Sequence, residues 1–128
     1  MIVVDASAVI AIMDREPGFE AVLDCLRTEP QRFMTPISAL EVVMVLSRHH
    51  TDPVGEAEAF MTRALVLIHP IDAEQMRLAQ QAFLAYGKGR HRARLNLSDC
   101  FSYAAAKVLD APLLYVGNDF AHTDLKRA

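Results

Sequence analysis

The opening run Ile2-Val3-Val4, followed at once by Asp5, constrains the fold more than any other stretch of the chain. Three β-branched residues stand together with no polar alternation, the pattern of a strand buried on both faces. A strand of that kind belongs to a parallel sheet covered by helices, and the rest of the chain supplies the covering. Ala6–Met13 reads as a short helix, and Gly18–Thr28 as another with Phe19, Val22, Leu23 and Leu26 at helical spacing. Arg32–Thr35 is a second strand, closed by Pro36, which starts a helix running to Arg48.

The alternation continues. Asp52 caps a helix opened by Pro53 and reaching Leu65, Val66–Ile68 is a third strand, and Asp72 caps a helix ending at Tyr86. Gly87–Arg94 is a polar loop, Ser98–Leu109 a helix with Ser98 as its cap, and Pro112–Val116 the last strand. Strands alternating with helices of about a dozen residues predict an α/β fold with a mainly parallel sheet. At 128 residues, 52% of them hydrophobic, the chain is expected to be one domain spanning 1–128 with a real core, which excludes a disordered tail.

No charge-free run approaches the length of a membrane span, and the start lacks the basic segment of a signal peptide. Two isolated cysteines, Cys25 and Cys100, fit a reduced cytoplasmic protein better than a disulfide scaffold. A net charge of −3 means that any polyanion would have to meet a local basic patch.

Four acids stand in apolar surroundings. Asp5 follows the first strand and Asp119 the last, after the turn Gly117-Asn118, so both are expected at the carboxyl edge of the sheet, where ligands of such folds bind. Glu41 is the only charge between Pro36 and Arg48, on a face shared with Ile37, Met44 and Val45, and must point into protein or a cleft. Asp99 is the only charge from Leu95 to Ala106 and sits at a helix N-terminus, whose dipole favours an anion. Each has a plainer use: Asp5 and Asp99 as caps, Asp119 as a turn residue. Glu41, in mid-helix, has none. Together they form an oxygen-only donor set, the chemistry that selects Mg²⁺ or Mn²⁺ and suits phosphate-ester hydrolysis.

The stretches MIVVDASAVIAIMDREP, ISALEVVMVLSR, YGKGRHRARLNLSDCFSYAAAK and LLYVGNDFAHTDLKRA, in this order and spacing, resemble the PIN-domain ribonucleases, more narrowly VapC-type toxins of toxin–antitoxin pairs. The resemblance implies a three-layer α/β/α sandwich and Mg²⁺- or Mn²⁺-dependent endonucleolytic cleavage of RNA. It makes Asp5, Glu41 and Asp99 an acidic triad of metal ligands. The fourth acid of many relatives lies two residues before the Asp-Phe pair, which here is Gly117, leaving Asp119 or Asp124 to serve. Ser7 matches a supporting hydroxyl, which alternatively bonds the backbone near the helix start, and Asn118 is placed with the supporting residues. Expected partners are the RNA substrate, a cognate VapB-type antitoxin lying across the groove, and a second copy of the chain.

Lys88, Arg90, His91, Arg92 and Arg94 form the densest basic run, either an RNA-holding patch or a solvated loop. Tyr86 or Tyr103 could stack on a base, with core packing the better use for Tyr103. His49 and His50 fall at a helix end, where the dipole favours them, and His122 lies near Asp119 and Asp124. A dehalogenase-type phosphoryl-transfer enzyme would need a second aspartate where Ser7 stands. The remaining alternative is a catalytically weak regulatory or RNA-binding module that keeps the fold and acts through protein partners.

Overall fold

The computed structural model describes residues Met1–Ala128. Four strands form one wholly parallel sheet: β1 (Ile2–Val4), β2 (Arg32–Met34), β3 (Val66–Ile68) and β4 (Leu113–Leu114), in the spatial order β3-β2-β1-β4. Six helices connect them: α1 (Ala6–Met13), α2 (Phe19–Thr28), α3 (Pro36–Leu46), α4 (Pro53–Arg63), α5 (Ala73–Tyr86) and α6 (Leu97–Val108). A short 3₁₀ turn, Phe120–His122, follows β4.

The pleat of β1 divides the interior into two cores. Ile2 and Val4 face one side, where they join Val9 of α1, Leu26 of α2, Val42 and Leu46 of α3 and Ala57 of α4. Val3 faces the other side, among Ala79 and Ala82 of α5 and Tyr103, Ala104 and Ala106 of α6. All three β1 residues are fully buried, as their unbroken apolar run predicts. The result is the expected three-layer α/β/α sandwich. No helix is long and apolar enough to cross a membrane.

Two local expectations are corrected. The last strand holds only Leu113 and Leu114, because the Val116 N–H leaves the sheet to donate to Ser7 Oγ at 3.0 Å. Asn96, not Ser98, caps α6: its side chain accepts from the Asp99 N–H at 2.9 Å, and the Asp99 carboxylate accepts from the Asn96 N–H at 3.0 Å. That reciprocal pairing satisfies two free donors of the first turn together. The α3 helix, apolar nearly all round, is not buried all round. Leu40 and Met44, on either side of Glu41 in the chain, are 58% and 60% exposed.

Candidate active site

The carboxyl ends of β1 and β4 and the first turns of α1 and α6 meet at one edge of the sheet. Asp5 leaves β1 and caps α1, so its two uses are compatible. Its Oδ2 accepts from the Ser7 N–H at 3.0 Å and the Ser7 hydroxyl at 2.7 Å, while Oδ1 accepts from the Ser102 hydroxyl at 2.7 Å. Because Ser102 commits its proton to Asp5, the 3.0 Å contact between Ser38 and Ser102 requires Ser38 to donate. A chain of hydroxyls from α3 through α6 thus orients the β1 carboxylate. The Ser7 hydroxyl does not bond the backbone near its helix start: it donates to Asp5 and accepts from the N–H of Val116, 109 residues away.

Asp99 is 7% exposed, and Glu41, half-buried on α3, accepts from the Ser98 hydroxyl at 3.2 Å. Ser98 is therefore a link between α6 and α3 rather than a cap. Burial, then the neighbouring charges of Asp5, Asp119 and Glu41, push the Asp99 carboxyl up to about 7 despite its bond from the Asn96 N–H. Burial and the Asp5 charge likewise raise Glu41, against the lowering effect of Ser98. Four acids from four parts of the chain thus share one field.

Asp119 joins that field through its effect on Asp99; its own side chain is exposed and caps nothing. Asp124 does not join it. Its Oδ1 accepts from the Tyr103 hydroxyl at 2.6 Å and its Oδ2 from Lys107 Nζ at 2.7 Å, and despite burial these bonds lower its pKa. Asn118 and His122 are exposed, with no side-chain hydrogen bond. Tyr103 is 8% exposed in the core, packed against Tyr86 with ring centroids 5.8 Å apart.

Every ion pair in the molecule lies outside the four-acid group, so no cationic side chain neutralises it. The donor set is oxygen only and mutually repelling, with Asp5 and Asp99 buried, Glu41 half-buried and Asp119 exposed. That chemistry fits a divalent cation. No three of these carboxylates bring ligand atoms within 4.8 Å of one another; the one place where three metal-ligand atoms gather so closely is elsewhere, at Asp14, His49 and His50.

Lys88, Arg90, Arg92 and Arg94 are exposed on the loop between α5 and α6, and none is in an ion pair. Ala93 and Leu95, both fully buried, pin this loop to the core immediately before α6. Arg90 is partly engaged, lying 5.8 Å from the centre of the Phe83 ring. Ser38 and Ser102 carry no expectation from the sequence, and Ser98, expected as a cap, instead bonds Glu41. The available signal was spacing: Ser38 lies three residues before Glu41 and Ser102 three after Asp99, each pair on one helix face.

A sequence model of the PIN domain matches residues 2–126. The chain belongs to the PIN domain family. Its relatives include "Ribonuclease VapC" of Mycolicibacterium smegmatis, 43% identical with 96% of each chain covered. "Ribonuclease VapC30" of Mycobacterium tuberculosis is 40% identical over 96% of this chain and 95% of its own. Among solved structures, Mycobacterium tuberculosis VapC20, described as a "Sarcin-Ricin loop cleaving toxin", superposes with a TM-score of 0.79 at 16% identity, covering 100% of this chain and 98% of that one. VapBC2 from Rickettsia felis, bound to a DNA fragment from its promoter, gives 0.77 at 13% identity with the same coverage. At those identities the solved structures speak for the fold alone.

Proposed function

We propose that the chain is a divalent-metal-dependent endoribonuclease, the toxic member of a VapBC-type toxin–antitoxin pair acting in the cytoplasm. The observation that carries this is the uncompensated group of Asp5, Glu41, Asp99 and Asp119 at the sheet edge of a PIN domain. Relatives named as VapC ribonucleases, matched over nearly their whole length, support the reaction class. Asp5 and Asp99 would be the principal ligands of Mg²⁺, with Mn²⁺ as substitute, and Glu41 and Asp119 would complete the site. An ion held there supplies a more acidic water for in-line attack on the phosphodiester and charge neutralisation at the phosphate oxygens.

The chain's own residues do the rest. Ser7 and Ser102 fix both oxygens of Asp5, and the Asn96–Asp99 pairing fixes Asp99. Glu41, raised in pKa and oriented by Ser98, is suited to accept and release a proton beside the scissile bond. Asp124 supports the site from behind by holding Tyr103 and Lys107. Lys88, Arg90, Arg92 and Arg94 draw the RNA backbone towards acids that would otherwise repel it.

A VapB-type antitoxin is the expected inhibitor, and exposed Leu40 and Met44 beside Glu41 offer apolar surface for a segment lying across the groove. A second copy of the chain is the other expected partner. The experiment is induction in cells followed by sequencing of RNA cleavage ends, with Asp5→Asn as control. New ends made by the wild type and absent from Asp5→Asn are expected; cleavage persisting in a folded Asp5→Asn protein would refute the assignment.

A further inference from the structure

At the opposite end of α1 from Asp5, roughly 12 Å away for an eight-residue helix, three elements bring together a second group of donors. Asp14 closes α1, His49 and His50 follow the end of α3, and Glu56 lies in the first turn of α4. His49 Nε2 lies 3.2 Å from Asp14 Oδ2, and His50 Nε2 lies 3.2 Å from Asp14 Oδ1. Those spacings sit at the long edge of the about 2.7–3.2 Å range of an N–H···O hydrogen bond. They match the separation of neighbouring ligands about a tetrahedral zinc ion, about 3.3 Å for bonds near 2.0–2.1 Å. On its far side, His50 Nδ1 contacts Glu56 Oε2 at 2.5 Å. A carboxylate on the second ring nitrogen orients the imidazole and directs the Nε2 lone pair at the ligand, as is usual for metal-bound histidine.

We infer that Asp14, His49 and His50 form a binding site for a borderline divalent ion, Zn²⁺ in the first instance, with Glu56 orienting His50. Two imidazoles and one carboxylate favour Zn²⁺ over Mg²⁺, the reverse of the four-acid group. The residues are accessible: side-chain exposure is 22% for Asp14, 52% for His49 and 23% for His50. An ion there ties the end of α1, which Asp5 caps at its start, to the segment that follows α3, which carries Glu41 in its middle.

The test is calorimetric titration of Zn²⁺, then Mg²⁺, into the chelator-stripped full chain. Parallel titrations use His49→Gln/His50→Gln, Glu56→Gln and the acid-centre variant Glu41→Gln/Asp99→Asn. One Zn²⁺ per chain is expected in the wild type and in the acid-centre variant. Tight binding should be lost in the double histidine variant and weakened roughly 10- to 100-fold in Glu56→Gln. Zn²⁺ should shift the ring NMR signals of His49 and His50, a readout on wild-type protein that stands even if the double variant fails to fold. The inference is overturned by unchanged Zn²⁺ affinity in the folded double histidine variant, by loss of Zn²⁺ binding in the acid-centre variant, by equal affinity for Mg²⁺, or by unmoved histidine signals.

Discussion

The Asp99 carboxyl is where the site can be tested most directly. Its folded-state pKa of about 7 stands above the ordinary 3.8, chiefly through burial. The folded chain therefore holds a proton that the unfolded chain has released. Stability from this residue is greatest at low pH and is lost as pH rises towards 7. In metal-free protein, Asp99→Asn should raise the melting temperature by several degrees at pH 8, corresponding to at most about 4 kcal/mol. The gain should vanish near pH 4, as thermal unfolding followed by circular dichroism would reveal. For the same reason Mn²⁺ affinity, measured calorimetrically, should rise with pH and level off above about 7, because proton and ion compete for one carboxylate. The fourth acid separates just as cleanly. Asp119→Asn should depress the cleavage rate at saturating RNA by an order of magnitude or more, whereas Asp124→Asn, with Tyr103 and Lys107 as its partners, should act mainly on stability.

Among the elements, α6 carries the most information per residue. Its N-terminus combines a cap, a candidate ligand and a tether to α3 within Asn96, Ser98 and Asp99. Asn96→Ala removes the acceptor for the Asp99 N–H and should cost about 0.5–2 kcal/mol. The backbone N–H from which the Asp99 carboxylate accepts survives the substitution, so divalent-ion affinity should fall no further than the loss of stability explains; denaturant melts and Mn²⁺ titration of the same variant check both. The helix was legible from its small and apolar residues, but its cap was not. Asn and Ser are both good caps, and only the backbone angles of residues 96–98 decide between them. The length of β4 was likewise hidden, because Ser7, more than a hundred residues earlier, takes the N–H that would have continued the strand.

Over the whole molecule, the −3 net charge conceals a division of labour. Acids gather at the sheet edge, while the loop before α6 presents Lys88, Arg90, Arg92 and Arg94 without acidic partners. Reversing Arg90, Arg92 and Arg94 to Glu should weaken RNA binding at low salt by at least an order of magnitude. It should also flatten the salt dependence by about 0.7 in slope for each phosphate of a single strand that is no longer neutralised. Filter binding across a salt series, with Asp99→Asn in the background to prevent cleavage, provides the measurement. An unchanged slope would mark the run as a solvated loop.

Sequence by itself determined the layers and singled out the acids of the candidate site. An unbroken β-branched strand has to be covered on both faces, and a lone charge in an apolar helix has to find a cleft, so Ile2–Val4 and Glu41 announced their surroundings. Local patterns act over a few residues and are readable one segment at a time. Only the tertiary structure decided which acids share a field, because Asp119 and Asp124 differ little in the sequence and entirely in their neighbours. It alone disclosed the serines that steer Asp5 and Glu41, and it turned two histidines at a helix end into partners of Asp14. Those relations run between residues 35 to 97 positions apart. Distances of that kind are set by how the sheet and helices pack, which no single segment encodes.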